Sequence, residues 1–321
     1  MGTEGESGGL QGPFPGADRP LPPGEERGLR RAEAAVLGAV ALAALFALRR
    51  VNYLLYHSAI EFLGAAVAVS VFAVGWNARA FAREPLFLVL ACGSLGAGAL
   101  DILHSLAYRG MGVFPGAGAD LPTQLWVAGR LLQAASTLLA VLCLGRPGAL
   151  RPGWLLGGVV AATAGLLGAI LLGVFPSCYA EGVGLTPFKV AAEYGACAIL
   201  AAAGAILWRK RALLDPSIFG LLLGYVAAAA AAELSFTLYV DVYGFFNFLG
   251  HAVKLAATAC LYLALVRGAL VHPYRSLFRT LAVSEEQLRT ELAERRRAEE
   301  KAESANRAKG EFLANMSHEI R

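Results

Sequence analysis

Charge is scarce in this 321-residue chain, where Asp, Glu, Lys and Arg together make up 16%, against about 25% in soluble domains. Hydrophobic residues supply 57% and the mean hydropathy is +0.55, a balance that excludes an ordinary soluble domain and points to a multispanning membrane protein. Cysteine is also sparse. The five present, Cys92, Cys143, Cys178, Cys197 and Cys260, are scattered, mostly inside apolar segments, with no C-x-x-C spacing. That excludes a disulfide framework and leaves them as small core hydrophobes. No regular alternating segments bounded by turn residues occur, which excludes a membrane β-barrel. The net charge is only +4, and the basic residues lie at segment ends and along the C-terminal stretch, so nothing suggests nucleic acid as a partner.

What the chain does have is apolar length. A bilayer crossing needs about 20 apolar residues, and eight stretches qualify, near 32–48, 57–76, 85–107, 122–145, 154–176, 187–208, 216–240 and 246–270. The first is the weakest, because Glu33 and Arg49 leave a short apolar run. Residues 1–30, rich in Gly, Pro and Glu, read as a disordered tail. With the N-terminus in the cytoplasm, the inner loops carry Arg79, Arg83, Arg146, Arg151, Arg209, Lys210, Arg211, Arg267 and Arg275, and the tail adds Arg27, Arg30 and Arg31. The outer loops carry only Arg49, Arg50, Arg109 and Lys189. The positive-inside rule therefore places both termini in the cytoplasm, as expected for the inner membrane of a bacterium.

The expected fold is all-α: a polytopic bundle of about eight membrane helices, followed by a long cytoplasmic helix. Its spans are dense in Ala and Gly, including Gly220-Leu-Leu-Leu-Gly224, which lets helices approach closely in lipid.

Ionisable groups inside hydrocarbon are costly and need a partner or a function. Asp101, His104, Arg130, Glu193, Glu233, His251 and Lys254 all fall in the outer half of their expected spans. Asp101/His104 and His251/Lys254 are each three residues apart and so share a helix face. One reading is a polar pocket, open to the outside, that binds a ligand, metal or proton. The other is a set of interhelical ion pairs, such as Asp101 with Arg130 and Glu233 with Lys254. Two histidines suit haem or copper, but no attachment motif accompanies them and no metal site is assigned. His57, opening a span, and His272, just past the last one, read as interfacial.

The stretch Asp101-Ile-Leu-His104-Ser-Leu-Ala-Tyr108-Arg-Gly-Met-Gly-Val-Phe-Pro115, continued by Leu121-Pro-Thr-Gln-Leu-Trp126 and Arg130, resembles the third type of membrane-associated sensor (MASE) domain. So does Tyr239-Val-Asp241-Val-Tyr243-Gly-Phe-Phe-Asn247-Phe-Leu-Gly-His251-Ala-Val-Lys254, and the likeness covers 31–271. The resemblance implies an integral membrane sensor of undefined ligand, placed before a histidine kinase or a diguanylate cyclase.

From Pro273 the composition switches to Glu, Arg, Ala and Leu, which favours a continuous helix over 272–306. Leu281, Ser284, Leu288, Glu291, Arg295, Ala298, Ala302 and Ala305 fall on alternating three- and four-residue steps, a heptad seam for a parallel coiled-coil dimer. Glu285–Arg289 and Glu291–Arg295 are i,i+4 pairs of the favourable order. The segment then reaches Glu311-Phe-Leu-Ala-Asn-Met-Ser-His318-Glu319-Ile-Arg321, which resembles the phosphoacceptor segment of sensor histidine kinases, with 307–321 opening the dimerisation domain. Gly310 stands where relatives usually have Ser.

The resemblance implies His318 as phosphoacceptor, Glu319 assisting as acid or base, and a response regulator as partner. ATP and Mg2+ would act in a catalytic domain lying in cis beyond residue 321 or supplied in trans. No nucleotide boxes or Gly-rich ATP lid are present, so this chain alone is expected to be inactive. A transporter with a coiled-coil tail would instead show inverted repeats or broken helices, and neither is evident. A diguanylate cyclase output is opposed by the His318 segment.

Overall fold

A computed structural model describes the backbone of residues 23–80, 84–238 and 244–319; side chains at 23–32, 34–35, 272–277, 279–280 and 311–319 lie outside the described residues. The N-terminal unit contains one helix, α1 (Pro23–Val51). Residues 23–30, expected in the tail, are therefore helical, while 1–22 lie outside the described residues.

The second unit begins at Tyr53. Its helices are α2 (Tyr53–Ala78), α3 (Pro85–Ala107), α4 (Asp120–Cys143), α5 (Pro152–Leu171), α6 (Pro187–Arg209), α7 (Pro216–Thr237), α8 (Phe245–Leu265) and α9 (His272–Glu319). A two-stranded antiparallel hairpin, β1 (Tyr179–Ala180) and β2 (Gly184–Leu185), lies between α5 and α6. Seven helices among the described residues, α2 to α8, are long and apolar enough to cross a membrane. The expected eighth crossing falls in α1, which is helical but not among the seven.

Local sequence sets the starts of these helices. Pro85, Pro152, Pro187 and Pro216 each occupy the first turn, where the missing N–H leaves no orphan and φ is preset. Thr186 Oγ1 accepts the Lys189 N–H of α6 at 3.3 Å, and Asp215 Oδ1 accepts the Ser217 N–H of α7 at 2.8 Å. At the far end of α4, Lys210 Nζ donates to the carbonyls of Val141, Leu142 and Leu144 at 3.0, 3.0 and 2.9 Å, satisfying acceptors that the helix leaves orphaned.

Packing closes α2, α3, α4, α6, α7 and α8 into a ring in that order, since each touches the next and α8 returns to α2. Helix α5 rests on α3 and α4 outside the ring, and only Leu155 and Ile170 of it are buried. Apolar side chains on the outer faces, such as Trp154, Leu171 and Leu263, are exposed, as a lipid-facing surface requires. Small residues permit the close approach: a Cβ added at Gly93 would lie 2.3 Å from Ser136 Cβ, and one at Gly268 would lie 2.1 Å from the Phe87 ring. Gly93→Ala is therefore expected to cost about 1–3 kcal/mol by overpacking, read as a lowered thermal midpoint of the solubilised chain. Gly157→Ala on α5, where nothing lies within 4 Å of the added Cβ, should leave that midpoint unchanged or raise it.

Between α8 and α9 the chain stays helical, but Val266–Val271 adopts the wider π form. Helix α9 then runs for 48 residues, through Gly310, with Arg289–Glu285 and Arg295–Glu291 joined at 2.7 and 3.3 Å on its exposed surface. Exposed i,i+4 pairs of this kind add only about 0.3–0.5 kcal/mol each, so composition and length sustain the helix more than these bridges do.

Candidate functional site

One end of the ring holds a cavity of ≈ 180 Å³, lined among others by His57, His104, Tyr108, Trp126, Asn247 and His251. Its mouth is framed by Arg109 of the loop after α3 and by Tyr179 and Glu181 of the hairpin. Asp120, at the start of α4, fixes that hairpin by accepting the N–H groups of Cys178 and Tyr179 at 2.7 and 2.8 Å. Burial, reinforced by the Asp120 carboxylate, pushes the Cys178 thiol up to about 12. The loop after α3 turns through Gly110, Gly112 and Gly116, all at positive φ, a conformation that glycine adopts without steric cost.

Three imidazoles meet at the floor. His57 of α2 lies with its ring centroid 5.3 Å from His104 of α3 and 5.0 Å from His251 of α8, and it stacks on Tyr108 at 4.0 Å. The His57 and His104 Nε2 atoms are 3.3 Å apart, and His104 Nδ1 is 2.7 Å from the Pro122 carbonyl. A carbonyl accepts only, so His104 Nδ1 carries the hydrogen and its Nε2 presents a lone pair. His57 is 1% exposed, and its Nδ1 has no hydrogen-bond partner among the described residues.

Below the histidines lies an ionic layer. Glu61, one turn along α2 from His57, places Oε1 2.9 Å from His251 Nδ1 and Oε2 2.7 Å from Lys254 Nζ. Lys254 also reaches Asp101 Oδ2 at 3.1 Å, and Arg130 NH2 donates to both Asp101 oxygens at 2.7 and 2.6 Å. Two carboxylates thus face two cations, which cancels their charge inside the bundle. Trp126 separates the layers: Lys254 Nζ lies 4.4 Å and Arg130 Cζ 4.8 Å from its ring centroid, close enough for cation–π attraction. A second cavity of ≈ 50 Å³ continues inward, lined by Asp101, Arg130, Gln133, Tyr225, Glu233 and Lys254 among others.

The structure thus brings Asp101, His104, Arg130, His251 and Lys254 into one connected cluster. Glu193 is held 2.7 Å from Lys189, a residue of the cavity lining, on the same helix face, with Thr237 Oγ1 donating to it at 3.2 Å. The anticipated Glu233–Lys254 pair does not form; Lys254 turns to Glu61 and Asp101, and Glu233 Oε2 is buried without a hydrogen-bond partner among the described residues. His57, read from the sequence as interfacial, is buried and lies at the centre of the histidine floor. Glu61 was missed altogether, although a carboxylate inside the second apolar stretch, four residues from a histidine, carried the same signal as the others. The side chains of His272, His318 and Glu319, and residues 239–243 with Asp241, lie outside the described residues.

Residues 48–273 match MASE3, a membrane-associated sensor domain. Neither the curated proteins nor the solved structures give a match.

Proposed function

Because the chain belongs to the MASE3 family of membrane-associated sensor domains, we propose that it is the sensory portion of a histidine kinase. In this reading the cavity end of the ring receives the stimulus, and the helix leaving α8 carries its effect to His318. The observation that bears most weight is continuity. From Phe245 to Glu319 the chain is helical without a break, and the segment Asn315-Met316-Ser317-His318-Glu319 closes it. A displacement of α8 at the site therefore has a direct mechanical path to the phosphoacceptor.

The chemistry assigned to that segment is phosphoryl transfer. An imidazole nitrogen of His318 attacks the γ-phosphorus of Mg2+-bound ATP in line, ADP departs, and Glu319 orients the ring or takes its proton. The ATP-binding domain lies in cis beyond residue 321 or is supplied in trans, and a response regulator accepts the phosphoryl group. Two copies pair through α9, whose seam residues Leu281 and Leu288 are exposed seven residues apart and would be covered by a partner helix.

With such a catalytic domain supplied, labelled ATP is expected to place an acid-labile, alkali-stable phosphoryl group on His318. His318→Gln should abolish the labelling without loss of membrane insertion, and Glu319→Gln should slow it about a hundredfold. Undiminished labelling of His318→Gln would falsify the reading.

The same proposal fixes orientation. Arg79, Arg146, Arg151, Arg209, Lys210 and Arg211 all lie at the end of the ring from which α9 departs, so that end is cytoplasmic and the cavity opens outward. With an eighth crossing in residues 32–48, both termini are cytoplasmic. Reporter fusions should be active inside at Arg211 and outside at Gly182, and the reverse pattern sinks this topology.

A further inference from the structure

We propose that His57, Glu61 and His251, with His104 beside them, form a binding site for a late first-row divalent metal ion such as Zn2+ or Cu2+. One ligand atom from each of His57, Glu61 and His251 lies within 4.8 Å of the other two, and all three residues are buried. The proposal rests on the sensor reading only for its consequence; binding itself stands on the geometry.

Several observations converge on it. Two nitrogens bound tetrahedrally at about 2.05 Å stand ~3.3 Å apart, which is the separation of the His57 and His104 Nε2 atoms, 3.3 Å. The Pro122 carbonyl holds the Nδ1 hydrogen of His104, the second-shell contact that fixes a ligating histidine's tautomer and aims its other nitrogen. Between His251 Nδ1 and Glu61 Oε1 the gap is 2.9 Å, short enough for both atoms to reach one ion between them. The cavity above supplies an entry path.

Imidazole with one carboxylate matches zinc, copper and nickel better than calcium or magnesium, which take oxygen ligands. Lys254 limits the affinity. It holds the second oxygen of Glu61 at 2.7 Å, so it orients the carboxylate but opposes a further positive charge. A bound ion would draw Glu61 from Lys254 and tie α2 to α8, the helix that leads into α9. A stimulus that binds and leaves reversibly is suited to such a balance.

The test uses the full chain in lipid nanodiscs, free of any polyhistidine tag. Zn2+ is titrated against a chromophoric chelator, and Co2+ is added separately for its visible absorption. Expected are one saturable ion per chain and the intense bands of tetrahedral cobalt. His57→Ala and His251→Ala should each weaken Zn2+ binding about ten- to hundredfold, whereas His272→Ala should leave it unaltered. Absence of saturable Zn2+ binding or of tetrahedral cobalt bands in the unaltered chain overturns the site, whatever the variants do. So does binding that survives the double His57→Ala/His251→Ala change or is lost in His272→Ala. No phosphorylation enters the measurement, so failure here is separate from failure of the kinase reading.

Discussion

Lys254→Met is expected to destabilise the chain by about 3–5 kcal/mol, the cost of leaving one partner of a buried pair uncompensated. Asp101 retains Arg130 after the change, with NH2 at 2.6 and 2.7 Å from its oxygens. Glu61 has no such reserve. Its side chain is 1% exposed, Lys254 is its one permanent cation among the described residues, and its remaining neighbour, His251 at 2.9 Å, is charged only when protonated. Methionine preserves much of the stem volume over Trp126, so lost packing contributes little. The companion variant isolates the cause. Glu61→Gln removes the orphaned charge, and the Glu61→Gln/Lys254→Met pair should recover most of the loss, giving a coupling of 0.5–3 kcal/mol or more between contacting residues. Thermal unfolding of the solubilised chain and membrane abundance are read together. A Lys254→Met chain as stable as the parent would mean that Glu61 is protonated or hydrated in place, and the ionic layer would not be structural.

Lys189 and Glu193 supply an internal comparison. Both are 1% exposed and 2.7 Å apart on one face of α6, but Lys189 Nζ also donates to the Phe236 carbonyl at 2.9 Å. Losing Lys189 therefore leaves the Glu193 carboxylate with neutral donors such as Thr237 and takes a donor from the Phe236 carbonyl. Lys189→Met should be at least as damaging as Lys254→Met.

How much of this was legible beforehand depends on what a single chain encodes locally. The helices of the ring were visible as apolar runs. The ionisable groups within them were visible as exceptions to hydropathy. Their pairing was not, because it depends on which helices become neighbours: α8 closes the ring against α2, and so Lys254 meets Glu61 and not Glu233. The burial of His57 was hidden for a related reason. Hydropathy places it at the edge of a run, but Tyr108, just past the end of α3, stacks on its ring, and the loop and hairpin beyond frame the mouth of the cavity. Helix α5 has the apolar composition of a core helix and yet lies outside the ring, where lipid satisfies it as well as protein would. Nothing in Val266-Arg-Gly-Ala-Leu-Val271 announces a π turn; its wider hydrogen-bond ring follows from joining two helices whose phases are set elsewhere, one by the bundle and one by α9.

That joint leads to the prediction with the largest effect on signalling. One alanine inserted between Glu286 and Gln287, within the regular part of α9, is expected to change basal His318 labelling per molecule by about tenfold in either direction, within the range of allosteric couplings. Each residue of an α-helix adds about 100° of rotation, so the insertion turns everything beyond it, His318 included, by about that angle relative to α8. A seven-residue insertion at the same place returns the phase to within ~20° and should restore labelling to within about twofold of the parent, given that couplings of interest begin near fivefold. Deleting one residue from 266–271 should behave differently from both. A π segment carries more residues per turn than an α-helix, so it can shed one by closing into α geometry while the flanking helices keep their facing. Labelling by a supplied catalytic domain, normalised to membrane abundance, reads all three. Equal labelling from the single insertion and the parent would show that α9 transmits no rotation. A deletion at 266–271 as disruptive as the single insertion would show that the π turn is an essential shape and not an adjustable joint.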